Sequence, residues 1–110
     1  MASEVMKRKT VRAMTNSENT LISAVTAGHT YTILNITLCE TAAAAETFDI
    51  YLDPLGGSND TYIYKAQALG ANETFEHNGR IVLEATDVLY GIAGSSADID
   101  VVISYLDQTL

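Results

Sequence analysis

Residues 46–53 read ETFDIYLD, in which the apolar side chains of Phe48, Ile50 and Leu52 alternate with polar ones and with Tyr51. A period of two is the pattern of a β-strand that buries one face. Residues 98–105, DIDVVISY, repeat it, with apolar side chains at every odd position and mostly polar ones between them. Both segments therefore predict strands that turn one face towards a core.

The stretch 30–39 is dense in β-branched and aromatic residues, but its apolar phase slips from Tyr31 and Ile33 to Leu34, Ile36 and Leu38. A β-bulge near residues 33–35 would reconcile the two phases. We expect further strands at 10–14, 21–25, 62–66, 73–76, 80–84 and 88–93, separated by turns rich in Gly, Asn, Asp and Pro. Short strands at this spacing predict an all-β fold, an antiparallel, jelly-roll-like β-sandwich of about eight strands.

Charge is distributed unevenly along the 110 residues, which is a length typical of one domain. Residues 1–12 hold four basic residues and one acidic residue, a net charge of +3, whereas residues 13–110 hold two basic and thirteen acidic residues, a net charge of −11. The sequence thus predicts a basic, extended N-terminal arm over residues 1–12 and a β-sandwich domain over 13–110.

Two interpretations of the arm are open. It is a solvated, partly disordered terminus, or it docks on an acidic surface of a partner through Val5, Lys7, Arg8, Lys9 and Arg12. The acidic body would repel nucleic acid, so we expect no nucleic-acid partner. The apolar runs are too short to cross a bilayer, and no secretory signal follows the basic start, so we also expect no membrane partner.

Residues with catalytic or metal-binding chemistry are sparse. Cys39 is the single cysteine, and His29 and His77 are the two histidines; none of the three has metal-ligand spacing to another. The sequence also lacks a nucleophile elbow and a phosphate-binding glycine loop. We therefore expect no catalytic residues, no metal and no cofactor.

Tyrosines are the richest aromatic set. Tyr51, Tyr62 and Tyr64 are the candidates for an exposed binding face, because tyrosines on a β-surface can bind sugars or proteins. Alternation turns Tyr51 away from Phe48 and Ile50, so we expect it to be exposed. The competing interpretation places most of the tyrosines in the core or along its rim.

The order of several segments carries a resemblance. The chain runs from Val25-Thr26-Ala27-Gly28 through the strand ending at Cys39, then 48–52, Gly56-Gly57, 69–74 and 83–89. This order resembles the small β-sandwich structural proteins of tailed bacteriophage virions, the group that includes capsid decoration (cement) proteins and some neck and tail components. The resemblance covers about residues 20–105.

The resemblance implies a non-enzymatic virion protein that is made in the host cytoplasm and lies on the capsid surface. Its implied partners are the major capsid (coat) protein, whose neighbouring subunits it would bridge, and further copies of itself as a dimer or trimer. Two other functions remain open: a neck, tail or tail-fibre module that binds carbohydrate or another virion protein, and, third in rank, a small enzyme with polar groups converging in a pocket.

Overall fold

The computed structural model describes residues 2–95 and 97–109. These residues form nine strands and a single 3₁₀ turn at Pro54–Gly56. The strands are β1 (Ser3–Met14), β2 (Asn19–Ile22), β3 (His29–Glu40), β4 (Glu46–Asp53), β5 (Thr61–Leu69), β6 (Thr74–His77), β7 (Ile81–Leu83), β8 (Val88–Ala93) and β9 (Ile99–Thr109). The described part of the chain contains no helix long and apolar enough to be a membrane-span candidate.

Two antiparallel sheets share the strands. The first has the order β1-β9-β3-β6, with β7 also pairing with β3, and the second has the order β2-β8-β4-β5. Because β6 and β7 both pair with β3, they act as one interrupted strand, which leaves eight strands in jelly-roll order. The predicted antiparallel, jelly-roll-like sandwich is confirmed.

The register of β3 against β9 shifts between Ile33 and Asn35, where the apolar phase of the sequence slips. Ile33 and Ile36 are both fully buried, because the extra residue turns both onto the same face of the strand. The predicted bulge at residues 33–35 is therefore confirmed. Because of it, β3 contributes side chains to the core on both sides of the bulge.

The core lies between the two sheets. Phe48 and Ile50 of β4 and Ile103 of β9 are among its fully buried members, as the alternation predicts, and Tyr105 packs against its rim. Each fully buried side chain of this size contributes about 1.5–3 kcal/mol through removal from water. The other buried apolar members are Met14, Leu21, Ile22, Val25, Ile33, Ile36, Leu38, Leu69, Leu83, Leu89, Ala93, Ile99 and Val101.

The N-terminal segment is extended, and its described residues form an edge strand. β1 begins at Ser3, and a regular antiparallel register pairs it with β9 from Ser3 to Val11. The register shifts between Val11 and Met14, where Ala13 has a positive φ of 53° and donates its backbone N–H to Asp100. The segment from residue 3 onwards is thus a strand of the first sheet. It is not the disordered terminus that was one of the two interpretations.

Candidate functional surfaces

The free edge of β1 is the first candidate surface. β1 ends the first sheet and forms its ladder with β9 alone, so its other backbone edge is unpaired within the described residues. Every side chain from residue 3 to residue 10 is exposed, and Met6 keeps 67% of its area in solvent. Arg8, Lys9 and Arg12 are exposed here, and none of them forms an ion pair in the described part of the chain. This unpaired strand with its cations is called the β1 edge below.

Lys7 differs from the other predicted docking cations. Its Nζ lies 2.8 Å from Oδ2 of the buried Asp107, whose Oδ1 lies 2.7 Å from Nδ1 of His29. The hydrogen bond from Lys7 holds the pKa of Asp107 below its usual value against the effect of burial, and the same bond raises the pKa of Lys7. The charge of Lys7 is therefore neutralised within the chain, while Val5, Arg8, Lys9 and Arg12 remain exposed.

The tyrosine ledge is the second candidate surface, and it consists of Tyr51, Tyr62 and Tyr90. The register places the three opposite one another across β5, β4 and β8. The ring centroid of Tyr51 lies 4.9 Å from that of Tyr62 and 5.4 Å from that of Tyr90. The ledge is a row of adjacent rings, each pair tilted by 36°, on the outer face of the second sheet.

Tyr51 is buried, with 2% of its area exposed, so the expectation of an exposed side chain was wrong. It does turn away from the core, but Tyr62 and Tyr90 cover it and its hydroxyl donates a hydrogen bond to Glu18. Burial, followed by that bond, raises the pKa of Tyr51, so the ring stays a neutral donor. Tyr62 is the exposed member of the ledge, at 44%, and Lys65 Nζ lies 4.6 Å from its ring centroid.

Tyr64 does not belong to this ledge. Tyr51 pairs with Tyr62, but the adjacent Ile50 pairs with Tyr64, so β5 carries one extra residue at this point. That bulge turns Tyr64 onto the core side, where its ring packs edge-on against Phe48 and Phe75. The prediction that Tyr64 shares an exposed face with Tyr51 and Tyr62 was therefore wrong.

The residues with potential catalytic chemistry lie apart from one another. His29 is bound to Asp107, the Nδ1 of His77 lies 2.7 Å from the hydroxyl of Tyr64, and the thiol of Cys39 lies 3.8 Å from the backbone oxygen of Glu40. Within residues 2–95 and 97–109, no three His, Cys, Asp or Glu side chains are grouped to hold a metal ion. Each of the three side chains has a local structural partner.

Several buried carboxylates were not predicted from the sequence, among them Glu40 and Asp107. Glu40 accepts backbone hydrogen bonds from Ala42, Ala44 and Asn72, and so ties together the loops at one end of the sandwich. Nothing in the sequence around Glu40 marks this role. Asp107 could have been found, because it continues the core-facing phase of Ile103 and Tyr105, and a carboxylate in that phase needs a partner.

The fold is similar to those of several solved structures. One is a protein of the acid-stable capsid of Helicobacter pylori bacteriophage KHP30, with 12% identity over 98% of this chain and 93% of that one and a TM-score of 0.52. A second is from the T13 IBDV viral particle, with 10% identity and a TM-score of 0.59 over 97% of this chain, which spans 31% of that chain. The third is the Drosophila NLP core, whose structure concerns pentamer formation and histone binding, with 18% identity, a TM-score of 0.56 and 96% coverage of both chains.

No protein-family model and no curated protein sequence matches the chain. At 10–18% identity, the likeness to these three structures shows a shared fold. Function has to be argued from the surfaces that this chain itself presents.

Proposed function

We propose that this chain is a non-enzymatic structural protein of a virion, of the capsid decoration (cement) type, which binds the coat shell and bridges neighbouring subunits. It would be made in the host cytoplasm and act on the capsid surface. The jelly-roll topology supports the proposal, as does the resemblance to proteins of a phage capsid and of a viral particle. The resemblance in sequence order to tailed-phage decoration proteins supports the finer assignment.

The observation that carries the proposal is the β1 edge, an unpaired and cationic strand on an acidic body. An open edge strand can pair through backbone hydrogen bonds with an extended segment of another chain, whether of the coat or of a second copy. Its exposed cations would steer the protein towards an acidic coat surface, while the body, with its net charge of −11, would face solvent. Arg8, Lys9 and Arg12 are exposed and form no ion pair within the described residues, and of these three we assign Lys9 and Arg12 to the docking.

Reversal of these two charges tests the docking. Deleting residues 1–12 would remove most of the ladder with β9, so the variant K9E/R12E is preferable because it keeps the backbone. The matched control is K65E/R80E, which makes the same change in net charge elsewhere on the surface. Added to particles that lack the chain, the wild type and the control should occupy the capsid, and K9E/R12E should lose at least about tenfold in affinity.

Salt gives an independent readout of the same contact. Exposed charge pairs are screened over a Debye length of about 8 Å at 0.15 M salt, so occupancy by the wild type should fall as salt rises. Full occupancy by K9E/R12E, or no binding of the wild type to any particle, would contradict the docking proposal.

The tyrosine ledge favours a second candidate, a tail or tail-fibre module that binds carbohydrate. A row of adjacent tyrosines with one exposed ring can hold the apolar face of a sugar. The variant Y62A removes the exposed ring, and Y62F keeps it. If the ledge is the functional surface, Y62A loses binding on a glycan array that Y62F retains, and K9E/R12E binds normally.

A further inference from the structure

Glu4, Met6 and Arg8 occupy successive outward positions of β1. Side chains alternate along a strand, and Val11, in the other phase, packs against the core. The three residues therefore share the outer face of the first sheet, with opposite charges at equal distances on either side of an exposed methionine. If this strand lies antiparallel to the same strand of a second copy, negative and positive side chains face each other, so the strand is electrostatically self-complementary.

We propose that β1 pairs antiparallel with β1 of a second copy of this chain, with Met6 opposite Met6 of the partner subunit. Glu4 then lies opposite Arg8 of the partner subunit, and the two-fold axis repeats the same contact on its other side. The pairing joins the two first sheets into one continuous sheet. The pairing names a second copy of this chain as the partner at the β1 edge. It rests on the proposed function only in that both treat this edge as an interface.

Charge selects this register over its neighbours. A register centred on a charged residue, such as Lys7 or Arg8, places that charge directly opposite its own copy, which is destabilising. A register centred on Val5 opposes no like charges but puts Glu4 opposite Met6 and so gains no ion pair. The register centred on Met6 gains ion pairs on both sides of the axis and opposes no like charges.

The backbone of β1 is suited to the pairing. Its ladder with β9 is regular from Ser3 to Val11, without a bulge that would twist the edge away. The segment contains no proline, so none of the N–H groups that point away from β9, one at every second residue, is missing from this edge. β1 ends its sheet and pairs with β9 alone among the described strands, which leaves this edge open to a second strand.

The cations on the inner face do not oppose the pairing. Lys7 comes to lie opposite Val5 of the partner subunit, and its charge is already balanced by Asp107. Lys9 lies opposite Ser3 of the partner subunit, and Arg12 falls beyond the paired stretch. Lys9 and Arg12 of each copy therefore remain free to dock on coat, so that the dimer would present both sets of cations together.

A single pair of strands is a small interface beside the roughly 1,200–2,000 Å² that stable complexes bury. We therefore expect a concentration-dependent equilibrium between monomer and dimer. Sedimentation of the wild type should approach twice the chain mass of 11.8 kDa as concentration rises. A concentration-independent monomer, or a pentamer, would overturn the proposal.

Cysteine cross-linking tests the register. Opposed residues of paired strands have Cβ atoms about 4.5–5.5 Å apart, a spacing compatible with a disulfide after small adjustments. In a C39S background, M6C should form a disulfide-linked dimer on mild oxidation. The control V82C, at an exposed position of the same sheet on β7, should not. Equal cross-linking of both variants, or none at M6C, would overturn the register.

A charge swap tests the ion pairs without disturbing the rest of the strand. E4R and R8E each place like charges opposite one another, and each should weaken the dimer about tenfold. The double variant E4R/R8E restores opposite charges and should recover the wild-type dissociation constant. A double variant as weak as the singles would contradict the proposed pairing. Full capsid occupancy by K9E/R12E would contradict the docking proposal but leave the dimer measurements unchanged, so the two proposals fail separately.

Discussion

Lys7 and Asp107 join the first strand of the chain to the last, with the lysine Nζ 2.8 Å from the carboxylate Oδ2. Asp107 is buried at the core-facing side of β9 and also accepts from His29. The contact ties β1 to β9 within the sandwich, while the opposite backbone edge of β1 is unpaired within the described residues.

We predict that D107N destabilises the protein more than K7M does. K7M removes a half-exposed cation, whereas D107N leaves both Lys7 and His29 without their anion. The pKa of Asp107 is lowered in the folded state. Its contribution to the free energy of unfolding is therefore complete above the usual Asp pKa of about 3.9 and is lost as pH falls below it. Urea denaturation at pH 7 and pH 3 measures both effects. An equal loss of stability on acidification in wild type and D107N would contradict this role.

The buried carboxylate of Glu40 should make a second acid-sensitive contribution to the free energy of unfolding. The backbone N–H of Asn72, followed by those of Ala42 and Ala44, lowers the pKa of Glu40 despite its burial. The stabilisation is therefore present above the usual pKa of 4.5 and declines as pH falls below it. E40Q should lower the urea midpoint at pH 7 and flatten its dependence on pH. The control E76Q changes an exposed glutamate and should match the wild type.

Alkaline titration should reveal Tyr51. Burial raises the pKa of Tyr51, Tyr90 and Tyr105, and the hydrogen bond to Glu18 raises that of Tyr51 further. Part of the absorbance change at 295 nm should therefore occur well above the usual tyrosine pKa of about 10. Y51F should remove one tyrosine from that delayed part, and E18Q should shift it to lower pH. A titration that is unaltered in both variants would show that the ring is not held as described.

The packing around Gly91 leaves no room for a larger side chain inside the core. A Cβ at this position would lie 2.8 Å from the sulfur of Met14 and 2.9 Å from Cδ1 of Leu21. G91A should cost about 1–3 kcal/mol through overpacking. G57A is the control, because a Cβ on Gly57 meets its nearest atom at an ordinary 3.4 Å. Denaturant unfolding compares the two, and a stable G91A would mean that Met14 and Leu21 repack freely.

Buried strands were predictable from the sequence, and the exposed edge was only partly so. The alternation at 46–53 and the apolar run at 88–93 match β4 and β8, because burial of one face imposes a period of two. The prediction for β1 covered residues 10–14 alone, whereas the strand begins at Ser3. An edge strand that is exposed on both faces needs no alternation of apolar and polar residues. The run Lys7-Arg8-Lys9 therefore did not indicate a strand.

The tyrosines show where alternation alone is insufficient. Alternation gave the direction of Tyr51 correctly, but its burial depends on Tyr62 and Tyr90, which come from other strands. Tyr64 faces the core because of a bulge in β5 that no glycine or proline marks. Exposure and bulges are set by tertiary packing, so the composition of the candidate face could not be obtained from the sequence.

Electron cryomicroscopy of particles that carry this chain is the most direct measurement of its proposed role. We predict density for the jelly roll on the outer surface of the capsid shell, with Lys9 and Arg12 against coat protein and two β1 strands paired about Met6. The tyrosine ledge should then face solvent. Absence of the chain from the shell, or a sandwich that contacts its partner through Tyr62 with the β1 edge in solvent, would contradict the account.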